Sequence, residues 1–254
     1  MRQLQLTALP GIPEVHAGDS LAALIVAALA RSRCALAADD VIVVAQKVVS
    51  KAEGRQVFLD TVQPSARALE LARAADKDAR LMELVLRESR EVIRVKPGVV
   101  IVEHRLGFIM ANAGVDQSNL DGQQAAASAL LLPENPDASA ERLREELRAA
   151  CGAEIGVVVN DSFGRAWRNG VTGVAIGVAG VPALVDMRGQ TDRSGRELKV
   201  TQVAAADELA AAASLVMGQA HEGFPVVLAR GFPYRLRESS VAELIRPREE
   251  DLFR

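Results

Sequence analysis

Short runs of β-branched apolar residues alternate along this chain with alanine-rich stretches, and that alternation limits the fold to a mixture of α and β. The runs at 41–44, 98–103, 107–110, 155–159, 174–178 and 226–229 read as strands. The stretches at 20–33, 65–75, 138–150 and 204–217 read as helices. Strands follow one another at irregular intervals, and some neighbours are close enough for hairpins. The pattern therefore predicts an α+β fold with mixed and antiparallel sheets, rather than a doubly wound parallel sheet. In the third helix Pro136 is followed by Asp137 as the expected N-cap, with Glu141 in the first turn. The fourth carries Asp207 and Glu208 early and stops near Gly218. Glycines between Gly170 and Gly180 fit tight packing or turns.

The run LAALIVAALA at 21–30 resembles the apolar part of a secretion signal. However, Glu14 and Asp19 precede it where positive charge belongs, and it is far short of the roughly 20 residues that span a bilayer. It reads as a buried helix beginning near Asp19 or Ser20, which leaves a cytoplasmic protein with no membrane partner as the expectation.

With 254 residues, 49% of them hydrophobic and 25% charged, the chain can bury a core without disulfide or metal staples. One large domain or two small ones both fit. A net charge of -3 and an aromatic content of 3% leave neither a basic footprint nor a stacking platform for nucleic acid. Cys34 and Cys151 lie far apart, as do His16, His104 and His221, so neither a disulfide scaffold nor a His/Cys zinc cage follows from the sequence.

Four glycine-containing segments beside strands carry the candidate chemistry. In the first, QKVVSKAEGR at 46–55, the strand 41–44 gives way to Lys47, Ser50, Lys51 and Arg55. These can act as donors to phosphate, or make up a solvated basic loop. In the second, ANAGVDQSN at 111–119, Asp116 and Asn119 stand among small residues; they can face a hard cation or make an Asx turn. In the third, VVVNDSFGRAWRNG at 157–170, Asp161 and Ser162 end a buried strand where a rigid support can fix a metal, with Arg165, Trp167 and Arg168 beyond. The alternative there is a charged hairpin with a core tryptophan. In the fourth, MGQAHEG at 217–223, Gln219 and Glu222 can supply oxygens to a metal or a nucleotide, or simply follow a helix C-cap. No G-x-x-x-x-G-K-[ST] loop is present, and Gly177–Gly180 lacks dinucleotide spacing. Two aspartates from separate segments with basic groups nearby suggest a divalent metal and a phosphate-bearing substrate.

These segments, together with LLPENPDASAERLR, GVAIGVAG and VTQVAAADELAAAA, occur in the order seen in the coenzyme F420-0:L-glutamate ligase family. The resemblance runs from about Leu9 to Gly231. It implies an intertwined homodimer and a single catalytic region over 1–254, as one body or as two intimately associated α+β subdomains, without a fused nitroreductase-like domain. It implies L-glutamate and the precursor F420-0 as substrates, GTP as co-substrate, two Mg²⁺ or Mn²⁺ ions, and K⁺ as a further cation. Asp116, Asp161, Ser162 and Gln219 correspond to metal ligands. Ile12, Pro13, Glu14, Val15, Gln46, Lys51, Asn119, Met217, Gly218, Gln219 and Glu222 correspond to the nucleotide site. Asp116, Asp161, Arg165 and Arg168 are the expected catalytic residues, the arginines as holders of phosphate or carboxylate groups. The implied chemistry is phosphorylation of the precursor's carboxylate to an acyl phosphate, then its capture by the amine of glutamate. A related nucleotide ligase or phosphotransferase acting on a different acid, and a non-catalytic nucleotide-binding dimer, are the competing readings.

Overall fold

The computed structural model describes residues 2–117 and 128–252. Its strands and helices in chain order are β1 (Gln5–Ala8), α1 (Leu21–Arg31), β2 (Val41–Ala45), α2 (Gln46–Ala52), β3 (Gln56–Phe58), α3 (Ala66–Ala75), α4 (Ala79–Arg87), β4 (Ser89–Lys96), β5 (Val99–His104), β6 (Ile109–Ala111), β7 (Ser128–Leu130), α5 (Pro136–Cys151), β8 (Gly156–Arg165), β9 (Arg168–Ala179), β10 (Val185–Asp186), β11 (Gln202–Val203), α6 (Ala205–Met217) and β12 (Val226–Arg230). This is the mixed α+β architecture expected from the sequence, with several sheets. No helix among the described residues is long and apolar enough to cross a membrane.

The main sheet has the order β1-β12-β2-β8-β9. Only the β2–β8 pair is parallel; the others are antiparallel. β2 and the first half of β8 are buried on both faces, which is why they appear in the sequence as unbroken apolar runs instead of alternating ones. The period of two still sorts their side chains. Ile42, Val44, Val157 and Val159 pack with α1 and α5, whereas Val41, Val43 and Val158 pack with α6.

Each helix end has a local cause. Ser20 accepts the Ala23 N–H and starts α1, so the apolar run at 21–30 is a packed helix burying Ala22, Ile25, Ala28 and Leu29. α5 begins two residues earlier than its sequence signal suggested. Asn135, not Asp137, is its N-cap, and Pro136 occupies the first turn, where its missing N–H costs nothing. The Asp137 carboxylate instead accepts the Val178 N–H at 2.7 Å and the Ser240 hydroxyl at 2.7 Å, tying α5 to β9 and the C-terminal segment.

A second unit contains the sheet β4-β5-β6, covered by α3 and α4, beside the short pair β3–β7. The buried Glu88, at the end of α4, braces it. Burial alone would raise this carboxyl's pKa. With His104 3.5 Å away, Arg105 at 2.9 Å and Arg55 at 3.2 Å, it is held at about 2.

Two segments differ from their sequence expectation. Residues 46–52, read as a loop, form the helix α2, which starts at Ala45 without a side-chain cap and so carries no start signal. The polar stretch 160–170, read as a strand end with basic residues beyond or as a charged hairpin, takes the hairpin form, continuing β8–β9 to the Arg165–Arg168 pair. Trp167 sits at the hairpin tip with φ 64 and is 88% exposed, so it is not a core tryptophan.

Glycine lets α6 approach β9. A Cβ on Gly173 would lie 2.1 Å from Ser214 Oγ and 2.4 Å from the Ala210 carbonyl, whereas one on Gly164 would meet nothing within 4 Å. Gly173→Ala should therefore cost roughly 1–3 kcal/mol by overpacking, and Gly164→Ala no more than about 0.5 kcal/mol. Urea unfolding of the two variants should separate them in that order. Equal midpoints would show that α6 can shift away without loss.

Candidate active site

The parallel pairing of β2 with β8 stops where β2 ends, while β8 runs on toward its hairpin. β2 and β8 are paired through Ala45–Asn160, so the residues that follow, Gln46 and Lys47 on one chain segment and Asp161 and Ser162 on the other, open into one cleft of about 440 Å³. Ligands of open α/β sheets commonly sit at the carboxyl ends of such strands. The loop 12–15 after β1 and the loop 218–225 between α6 and β12 form the remaining walls.

Ten of the residues expected at the nucleotide site line this cleft: Ile12, Pro13, Glu14, Val15, Gln46, Lys51, Met217, Gly218, Gln219 and Glu222. They come from three separated stretches of sequence, 12–15, 46–51 and 217–222. The Lys51 ammonium lies 3.0 Å from Glu14 Oε1, so α2 and the loop 12–15 are pinned together across the wall. Gln46 is 3% exposed, and its amide donates to Ser50 Oγ at 2.8 Å within α2. Glu222 folds back over Gly218 and accepts the Ala220 N–H at 2.8 Å, which keeps its carboxyl below the usual range. Asn119 lies outside the described residues.

Of the four oxygen-bearing residues expected to hold metal, Asp161, Ser162 and Gln219 line the cleft, and Asp116 stands beside it, paired with the cleft residue Lys47. Ser162 Oγ donates to Gln219 Oε1 at 3.0 Å, joining the end of β8 to the loop after α6. Asp161 follows the buried end of β8, and its own Oδ1 accepts the Ser162 N–H at 2.8 Å. Burial pushes the Asp161 carboxyl up to about 6, and the nearby Asp116 charge pushes it the same way; the Ser162 N–H and Lys47 pull it down. The two aspartates, 45 positions apart in sequence, thus share one electrostatic neighbourhood. Asp116 reaches it from the second unit: its backbone bridges Leu130 in both directions, and its Oδ2 lies 2.7 Å from Lys47 Nζ.

No cluster of three or more His, Cys, Asp or Glu side chains suited to a metal exists among the described residues. The donors here are two carboxylates, a hydroxyl and an amide oxygen. That set is too poor in charge for an all-protein cage. It suits Mg²⁺ or Mn²⁺ with phosphate oxygens or water completing the shell.

Arg165 and Arg168 are not brought to this cleft. They pair across the hairpin tip, four residues or about 13 Å of extended strand beyond Asp161. Arg165 lies 3.5 Å from the Asn169 carbonyl. Sequence adjacency suggested reach, but the hairpin carries both guanidiniums outward. Conversely, Asn160, Phe224 and Pro225 line the cleft without having been singled out. Asn160 was legible in principle as the residue before Asp161; the other two carry no chemical signal.

A larger cleft of about 740 Å³ lies on the other side of α2. Its principal charges already satisfy one another: Glu53 pairs with Arg142 at 2.5 Å and Arg55 with Glu134 at 3.0 Å. The smaller cleft, where oxygen donors converge from both units, is the better candidate on chemical grounds.

The sequence profile of the F420-0:Gamma-glutamyl ligase family matches residues 11–231. The chain is 47% identical over 253 residues to the coenzyme F420:L-glutamate ligase of Methanothermobacter thermautotrophicus, covering 99% of each chain. It is 44% identical over 255 residues to the protein of that name from Methanopyrus kandleri, covering 99% of this chain and 98% of the relative. The corresponding protein of Methanocaldococcus jannaschii is 45% identical over 215 residues, 85% of this chain and 84% of the relative. On this match, which takes in every segment lining the cleft, the chain belongs to the F420-0:gamma-glutamyl ligase family.

Proposed function

We propose that this protein is a ligase that attaches L-glutamate to the coenzyme F420 precursor F420-0 at the expense of GTP, through an acyl phosphate. Family membership over 11–231 supports the acceptor and the amino acid. What supports the chemistry is that Asp161, in a cleft lined by residues expected at the nucleotide site, feels the charge of Asp116, which comes from the second unit and pairs with the cleft residue Lys47.

A carboxylate does not form an amide with an amine in water at a useful rate, because its leaving group would be oxide. In the proposed reaction a carboxylate oxygen of the precursor attacks the γ-phosphorus of GTP and GDP leaves. The glutamate amine then attacks the acyl carbon and phosphate departs. Asp116, Asp161, Ser162 and Gln219 would hold one or two Mg²⁺ or Mn²⁺ ions, which when bound neutralise charge on the polyphosphate. Ile12, Pro13, Val15 and Met217 supply apolar wall for the nucleoside. The Lys51 ammonium offers the polyphosphate a point charge, held in place by Glu14. The side chains have to position the reactants and balance charge; no covalent protein nucleophile is required.

The Asp161 carboxyl sets a pH limit on this scheme. In the folded chain without metal it keeps its proton up to about pH 6, against an ordinary value of 3.8. Between those values the folded state binds a proton that the unfolded state has lost, so this group's contribution to stability falls as pH rises through the window. A divalent ion reverses the balance because it needs the ionised form.

Two outcomes test the reading. Incubated with GTP, Mn²⁺, L-glutamate and F420-0, the protein should yield a product heavier by one glutamyl unit with one GDP per bond, and Asp116→Ala should slow this by about a hundredfold or more. Mass spectrometry that finds no glutamate-dependent product, or an alanine variant with near-normal turnover, would overturn it. Separately, Mn²⁺ affinity measured by calorimetry should weaken about tenfold per unit as pH is lowered below about 6. In chelator, Asp161→Asn should gain melting temperature relative to the parent between about pH 4 and about pH 7. A flat metal affinity across that range would remove Asp161 from the metal site.

A further inference from the structure

Lys47 has no role in the scheme above, yet its ammonium lies 2.7 Å from Asp116 Oδ2 and its charge also acts on Asp161. One cation of the protein is therefore paired with one of the carboxylates proposed to hold metal and within electrostatic range of the other. The Lys47–Asp116 pair is open to water, its side chains 33% and 31% exposed, and such an ion pair separates at little cost. Lysine's long, flexible stem lets the ammonium swing to a new partner without backbone movement.

The charges around the cleft give that mobility a consequence. Among the described residues, Glu14, Asp116, Asp161 and Glu222 stand against Lys47 and Lys51 in and beside the cleft, so a polyphosphate arriving alone meets more negative than positive charge from them. A divalent ion arriving alone has to compete with the Lys47 ammonium for Asp116. When both arrive, the ion takes the carboxylates and a phosphate oxygen replaces, at the ammonium, the Asp116 charge that the ion has taken.

We propose that Lys47 is an internal counter-ion of the metal carboxylates that makes divalent-ion binding and polyphosphate binding depend on each other. The inference rests on the proposed metal and nucleotide reading of this cleft and adds to it the exchange of partners at Asp116. Binding linkage is reciprocal, so the nucleotide should tighten the metal as much as the metal tightens the nucleotide.

The experiment is calorimetry on the full chain with Mn²⁺ alone, with GDP alone, and with Mn²⁺ in the presence of saturating GDP, correcting for the Mn²⁺–GDP complex in solution. Parent, Lys47→Met and Lys47→Arg are compared, with Lys47→Gln as a second neutral variant should the methionine variant fail to fold. The parent should show Mn²⁺ affinity tightened by GDP. The neutral variants should bind Mn²⁺ alone about threefold to tenfold more tightly than the parent and lose a similar factor of coupling. Lys47→Arg, which keeps the charge, should retain the coupling. Neutral variants with the parent's Mn²⁺ affinity and the parent's coupling would overturn the counter-ion role while leaving the metal site standing. Mn²⁺ that binds no form of the protein, with or without GDP, would overturn the metal site and this inference with it.

Discussion

The site depends on one pairing, the parallel register of β2 with β8. Because Ala45 pairs with Asn160, the parallel pairing stops at that level, and Gln46-Lys47 and Asp161-Ser162 emerge beyond it as neighbours. The strands themselves are apolar and buried on both faces, so the register is specified by packing on two sides at once. A slip of one residue would turn Asp161 to the opposite face of the sheet and exchange the α5-facing and α6-facing sets of valines. The arrangement of the polar residues is thus enforced by apolar ones that touch no ligand.

Three further ties hold the walls of the cleft to that pair of strands. Gly173 lets α6 lie close against β9, and the loop that leaves α6 then brings Gln219 within 3.0 Å of Ser162. Glu14 and Lys51 fasten the loop after β1 to α2. Asp116 is fixed by its backbone bridge to Leu130, in the same unit that Glu88 braces through Arg55 and Arg105. A side chain that must face a partner across two units is held on each side by its own local network, which suits a site needing sub-ångström placement.

Much of the fold was legible because its elements obey local rules. The six strand runs and four helices that carry strong periodicity or start signals all occur, with ends displaced by a few residues. What the sequence did not disclose follows from tertiary contacts. α2 has no cap, and its basic, valine-containing sequence suits a helix only once it is packed against the end of β2. Asp137 looked like a cap but is claimed by Val178 and Ser240, more than forty and a hundred positions away. Residues 160–170 are polar because the hairpin emerges from the core there, a change of environment that periodicity reads as a loop. The same cause explains why Asp161 and Ser162 lie by the cleft while Arg165 and Arg168 do not: an extended strand separates them by distance that a short sequence interval conceals. The order β1-β12-β2-β8-β9 is non-local and no local rule predicts it. The nearness of Asp116 to Asp161 is also non-local, and was expected from residue type and from resemblance, not from periodicity.

The poverty of the donor set is itself informative. Two carboxylates, one hydroxyl and one amide oxygen, with Lys47 against one of the carboxylates, would hold a hard cation weakly by themselves. A richer cage, with three or four acidic groups, would bind the ion whether or not a nucleotide were present, and would repel the polyphosphate from whatever charge the ion left uncovered. On the proposed reading, the deficit is filled by phosphate oxygens, so the coordination shell is complete only when the co-substrate is in place. Raised burial at Asp161 works in the same direction, because a carboxyl that keeps its proton up to about pH 6 gives it up most readily to a strongly held ion. The protein would thereby put its charge stabilisation into the loaded complex, where phosphoryl transfer can use it, and little into the separate ligands.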